Sequence, residues 1–318
     1  MAERRIDELR MVDPVLTTLA QGYSNAALVA DKLFPVVFVN KLKNKIPIFG
    51  KEAFLVRQTD RAIRASSNRI PPYEFEMMTI ETRERDIETA IDYLEEDETP
   101  TFFKLEQKIA KDLKDILNLG WEKDAATLAQ DESNYESGLT HELTSLEAFD
   151  DYESETDPIA IIRNAMSAVR GHIAKYPNVM VLGDSTYQAL IDHPKILERI
   201  KYSGLSKVTT AILAQILDLE QVHVGKAVEC DVDGVHSDIW QDNIVLAYVD
   251  DNQSNRRSEF NPSFGYTFRR ENMPEVDSYF ENGGKMKVVR CTDNYSVNLT
   301  SKAAGFLIKH TNHSSSEE

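Results

Sequence analysis

A run of helical periodicity about thirty residues long, opening at Thr99-Pro100, limits the fold more than any other feature of the chain. Threonine suits an N-cap and proline the first helical position. Phe102, Leu105, Ile109, Leu113, Ile116 and Leu117 recur at three- and four-residue spacing with Lys and Asp between them, and Trp121, Ala125 and Leu128 continue the stripe. At 1.5 Å per residue this is roughly 45 Å of helix, long for a globular protein and suited to serve as a beam across the molecule. Gly120 is the point where it can bend. The stripe places Leu113 and Ile116 against the core and leaves Lys111 and Lys114 in solvent.

The beam needs partners, and the segments before it supply few. The first forty residues are short apolar clusters ending in LFPVVFVN, where Pro35 suits an extended arm better than a central strand. Residues 45–85 read as strands at both ends, Ile46-Pro47-Ile48-Phe49 and Tyr73-Glu74-Phe75-Glu76-Met77, with the polar, basic RQTDRAIRASSNRIPP between them. This is a long two-stranded excursion with too few apolar residues for a core of its own. Such a flap must lie on something else.

Charge is distributed to match. The net charge of −17 excludes a protein that grips nucleic-acid phosphates over its whole surface. Residues 40–72 nevertheless hold eight Lys or Arg against Glu52 and Asp60. Residues 73–99 hold eleven Asp or Glu against Arg83 and Arg85, and residues 131–157 hold ten with no Lys or Arg. One basic segment in an acidic protein reads either as an electrostatic plug for an acidic neighbour, with Arg57, Arg61, Arg64 and Arg69 as its candidate interface residues, or as a solvated loop whose charges keep the chain soluble.

After the beam, Asp157-Pro158 caps a helix over IAIIRNAMSAVRGHIAKY. A strand at 178–182, helices from Ser185, through 195–201 and over 210–217, a strand at 221–225 and the buried strand NIVLAYVD make a compact α/β unit. Beyond it come strands at 264–270, at 285–290 after the Asn282-Gly283-Gly284 turn, and at 295–300. The tail HTNHSSSEE reads as disordered, and no internal repeat is evident. The N-terminal MAERRIDELR lacks the apolar segment of a signal peptide, and the longest apolar run, 33–39, is too short for a membrane span. Cys230 and Cys291 give neither a disulfide framework nor metal-ligand spacing, as expected of a chain folded in a reducing cytoplasm.

The motifs that suggest chemistry fall away individually. Gly183-Asp184-Ser185 after an apolar run resembles the opening of one esterase family, with His193 close behind. However, Ser185 and Gln188 have capping-box spacing, and His193 lies about 12 Å further along the same helix. Ser185 therefore reads as a helix cap, and His193-Pro194 as a helix stop and restart. His141-Glu142-Leu143-Thr144-Ser145 lacks the second histidine of a zinc protease, Gly225-Lys226-Ala227 lacks the Ser or Thr of a phosphate loop, and Asp231-Val232-Asp233-Gly234 lacks the later glutamate of a calcium loop. The sequence predicts no catalytic, cofactor or metal site.

The order of elements, and most specifically PNVMVLGDSTYQALIDHPKILERIKYSG followed by VTTAILAQILDLEQVHVG, resembles the major capsid proteins of tailed bacteriophages. These have the Hong Kong 97-type fold, shared with encapsulin nanocompartments. Asp192, His193, Pro194, Val224 and Gly225 stand where many relatives have an Asp-His-Pro helix end and a Val-Gly strand end. The resemblance implies an α+β fold with an N-terminal arm (1–44), an extended loop (45–86), a peripheral domain (87–151) with its spine helix (99–130), an axial domain (152–250), and closing peripheral strands and tail (251–318). It implies a non-enzymatic virion protein, assembled in the bacterial cytoplasm, whose pentamers and hexamers form an icosahedral shell around double-stranded DNA. Scaffolding, portal and decoration proteins are further partners, and no cofactor is implied. An encapsulin shell is the alternative, and a serine hydrolase using Ser185 is a remote one.

Overall fold

A computed structural model describes residues 11–12, 28–49, 55–56, 59–61, 63, 66–69, 75–98, 105–201, 207–250 and 263–313. In chain order its elements are β1 (Met11–Val12), α1 (Ala30–Leu33), β2 (Val36–Val39), β3 (Lys43–Phe49), β4 (Phe75–Glu81), β5 (Arg83–Asp92), α2 (Tyr93–Glu98) and the long helix α3 (Leu105–Gln130). Then follow β6 (Thr140–Glu142), α4 (Pro158–Ile173), β7 (Val179–Gly183), α5 (Asp184–Asp192), α6 (Pro194–Ile200), α7 (Thr210–Leu217) and β8 (Gln221–Gly225). The strands β9 (Val228–Cys230), β10 (His236–Asp238), β11 (Ile244–Ala247), β12 (Gly265–Arg270), β13 (Glu275–Glu281), β14 (Met286–Leu299) and β15 (Gly305–Lys309) complete the fold.

The predicted beam is present as 26 residues of unbroken helix that pass through Gly120; its predicted start at Thr99-Pro100 lies outside the described residues. Its buried arc corrects two expectations. Leu113 is buried as predicted, but Ile116 is 52% exposed and Lys114 is only 5% exposed. The physical reason is the surface opposite. Along β14, Val289, Cys291, Asp293 and Tyr295 alternate toward α3, so that surface is partly ionic. Asp293 pairs with Arg269 at 3.1 Å, and the Lys114 ammonium acts on the same buried group. Burial pushes Lys114 below and Asp293 above their usual ranges. An apolar count cannot see a lysine buried beside charged groups of a distant strand.

In the first sheet β14 has β5 along one side, with β13 and then β12 along the other; β1 extends it beyond β13, and β2 pairs parallel to β12. The strands expected at 285–290 and 295–300 are one continuous strand of 14 residues, because β13 and β12 share its length between them. The second sheet has the order β6-β15-β11-β7-β8, with β7 and β8 parallel and β11 antiparallel to both of its neighbours. β15 and β6 therefore join the α/β sheet, although the sequence assigns all of 251–318 to the closing peripheral strands and tail and no strand to 305–309. Two residues of the tail predicted to be disordered are tied down: Thr311 is buried against Thr186 at 2.7 Å, and His313 pairs with Asp150.

Apolar packing divides into two clusters. The larger one runs from α1 and the C-terminal half of α3 through the second sheet and its helices, and the smaller one holds Ile91, Ala110, Leu113, Val276, Val289 and Cys291 beneath the N-terminal half of α3. Leu113→Ala should cost about 2–5 kcal/mol, because it opens a cavity in this small cluster. Ile116→Ala should stay within about 0.5 kcal/mol, as expected for a surface site. Urea denaturation of the two variants measures both, and equal losses would show that the assigned helix face is wrong.

Candidate assembly surfaces

β3 and β4 form a two-stranded ribbon in register from Lys43↔Glu81 to Phe49↔Phe75, the flap expected from sequence. Lys43 and Glu81 also make an ion pair at 3.1 Å across its base. Arg61 and Arg69 are exposed, whereas Arg57 and Arg64 lie outside the described residues. The flap is less uniformly polar than its sequence suggests. Val56 and Ile63 are 101% and 94% exposed, and Leu55 and Met77 are also largely open. Exposed aliphatic side chains in the same segment as cationic ones make the flap a candidate contact surface, since either kind alone is ordinary on a solvated loop.

The acidic stretches at 73–99 and 131–157 were the expected complements, and the structure changes the picture for the second. Glu132 pairs with Lys309 at 2.7 Å, Glu136 with His172 at 2.9 Å, Asp150 with His313 at 2.7 Å and Asp157 with Arg199 at 3.3 Å. Asp131 and Glu147 accept the backbone N–H groups of Ser133 and Thr144, which hold both carboxyls below the usual range. These partners come from elements remote in sequence, so a local count missed them. A more open acidic row lies on β5. Ile87 and Ile91 face α3, which turns Glu84, Asp86 and Glu88 to the other, exposed face.

Ser185 is not a cap. The N-cap of α5 is Gly183, and Ser185 is the second helical residue, exposed. His193 is buried and ends α5, and its Nδ1 accepts the Lys195 N–H at 3.3 Å to cap α6, with Pro194 at the first helical position. The predicted stop and restart therefore holds, and burial depresses the imidazole pKa. Glycine at 183 has a different cause from the one the sequence suggested. Gly183 and Gly225 are register partners at the ends of β7 and β8. A Cβ on Gly183 would sit 1.6 Å from the Gln241 carbonyl oxygen, and one on Gly225 would sit 2.1 Å from the Trp240 ring. Both glycines make room for the loop that crosses them.

The remaining motifs also receive structural roles. His141 and Glu142 lie on β6, Lys226 pairs with Asp184 at 3.3 Å, and Asp231 folds a turn by accepting the Asp233 and Val235 N–H groups at 2.9 Å. Among the described residues no group of three His, Cys, Asp or Glu side chains could hold a metal ion, and no helix is long and apolar enough to cross a membrane.

No protein-family model matches the chain. It is 41% identical over 309 residues to the major capsid protein of Burkholderia phage BcepMu, covering 97% of this chain and 99% of that protein. The chain belongs to the major capsid proteins of tailed bacteriophages. A phage-related protein of Bordetella bronchiseptica RB50 has a similar crystal structure, with a TM-score of 0.77, 30% identity and coverage of 96% and 98% of the two chains. The capsid structure of cyanophage P-SCSP1u is similar at a TM-score of 0.58 and 11% identity, covering 92% of this chain and 91% of that one, a likeness of fold alone. The capsid fold is therefore of the Hong Kong 97 type, and the capsid protein is a structural component of the virion. Two of its residues escaped the sequence reading altogether: Glu122, buried at mid-helix, and Trp240, in the loop over the paired glycines. Each is a single side chain whose partners are remote, so no spacing marks it.

Proposed function

We propose that the chain is the shell-forming subunit, closing with copies of itself into pentamers and hexamers of an icosahedral capsid around double-stranded DNA. The observation that carries this reading is the flap, which exposes aliphatic and cationic side chains with no core of its own. A ribbon of this kind is stable in isolation only marginally, and lying across a neighbour removes its apolar surface from water. Each such contact contributes little, but repetition around a closed shell multiplies it. The division into arm, extended loop, peripheral domain with spine helix, and axial domain belongs to the same proposal, as do Arg57, Arg61, Arg64 and Arg69 as contact residues. So do the absence of a catalytic role, assembly in the host cytoplasm, and any use of scaffolding, portal or decoration proteins. The net charge of −17 suits an inner wall along which DNA has to move. The phage relative at 41% identity favours a genome container over an enzyme-filled nanocompartment.

Electron microscopy of the purified protein tests this reading. Closed particles, capsomers or tubes are expected over a range of salt and protein concentrations. A monomer under every condition would overturn it.

A further inference from the structure

Glu122 is fully buried on α3 and has no cationic partner among the described ion pairs. Its carboxylate is held by three N–H groups from two distant parts of the chain. The Val29 N–H lies 3.0 and 3.1 Å from its two oxygens, the Ala30 N–H donates to Oε2 at 2.9 Å, and the Trp240 indole N–H donates to Oε1 at 2.6 Å. Val29 is the N-cap of α1 and Ala30 its first residue, so both amides are among those a helix leaves without an internal partner. Trp240 lies over Gly225, and the next residue lies over Gly183. The nearby charges are engaged elsewhere: Asp31 pairs with Lys32, Lys123 with Glu229, and His223 on β8 bonds to Gln221. Burial pushes the Glu122 carboxyl up, and the N–H donors act against that shift.

We propose that Glu122 is a coupling pin, which makes seating of the 28–34 segment on α3 conditional on closure of the 239–241 loop over β7 and β8. A buried carboxylate without a cation depends on every donor it has. With Trp240 withdrawn, Oε1 keeps only a share of the Val29 N–H; with the 28–34 segment withdrawn, both oxygens depend on one indole. Each set of donors therefore binds better when the other is in place, and by linkage the effect is reciprocal. A contact that lifts the 28–34 segment is thereby felt in the 239–241 loop over the ends of β7 and β8, in addition to what passes through the direct packing of α1 on β7. This inference does not depend on shell formation.

Hydrogen exchange measured by mass spectrometry on the full-length chain tests it, with variants and parent matched for assembly state on a sizing column. Trp240→Phe keeps an aromatic ring and removes the N–H. Amides of 29–34 should then exchange about ten-fold faster, while those of 110–117 in α3 keep their protection. Glu122→Gln, which also serves if Trp240→Phe does not accumulate, should raise exchange both at 29–34 and at 239–249. Acceleration confined to the neighbourhood of residue 240, or to one of the two segments in Glu122→Gln, overturns the coupling. So does an equal acceleration at 110–117, which would mean that these side chains support the fold as a whole.

Discussion

Gly225→Ala should destabilise the subunit by about 3 kcal/mol, the upper end of what inserting a methyl group into a packed core costs. The added carbon would lie 2.1, 2.4 and 2.8 Å from three atoms of the Trp240 ring. The ring cannot move aside cheaply, because it is buried and its N–H is bound to Glu122. Gly183→Ala faces a harder obstacle, a backbone carbonyl at 1.6 Å, and should be at least as damaging. Gly120→Ala is the control in the opposite direction. Nothing lies within 4 Å of its added carbon, and it sits inside a helix, so the substitution should stabilise by about 0.5–1 kcal/mol. Denaturant titration of the three variants reads all of this. If Gly225→Ala is as stable as the parent, the loop is not packed on the strand ends as described.

Reversing Arg57, Arg61, Arg64 and Arg69 to glutamate should abolish assembly and leave the subunit folded. Arg61 and Arg69 are exposed, and none of the described residues of 50–74 belongs to the two apolar clusters, so circular dichroism and melting should hardly change. On a neighbour, the proposed matching surface is the exposed row Glu84, Asp86 and Glu88 rather than the stretch at 131–157, most of whose carboxylates are already engaged within the chain. Assembly of the parent should also weaken as salt rises, since exposed ion pairs are screened over about 8–10 Å at 0.1–0.15 M. Sizing columns and grids run side by side decide the matter. Normal closed shells from the reversed protein would show that the flap is no electrostatic clasp. The aliphatic residues Leu55, Val56 and Ile63 would then be the next to change.

Local signals in the sequence were dependable. Asp157 accepts the Ile159 and Ala160 N–H groups with Pro158 at the first helical position, and α7, β8 and the ribbon strands form where periodicity put them. What was illegible is whatever depends on a distant partner. β5 reads as a charged stretch and is a strand only because β14 pairs with it over ten residues. Lys114 is buried beside charged groups of distant strands, and Glu122 is satisfied by groups 93, 92 and 118 positions away. The two glycines were visible as letters, but their purpose depends on a loop that arrives from elsewhere. Ser185 was misread for the same reason: capping-box spacing is local, and the helix begins two residues earlier than that spacing implied.

The β3–β4 ribbon runs into β5 with only Thr82 between them, and Thr82 donates its N–H to the Leu42 carbonyl at 2.9 Å. β5 in turn lies antiparallel along β14 from Arg83↔Tyr295 to Asp92↔Met286, and β14 is clamped on its other side by β13 and β12. A tug on the flap that reaches β5 along its own direction must slide the strand past all of these backbone bonds together, since none of them can be peeled open first. The same number of bonds pulled crosswise would give way singly. A load that runs along β5 therefore meets this joint in its strong direction, and the fastening of the flap resists stretch much better than it resists lifting.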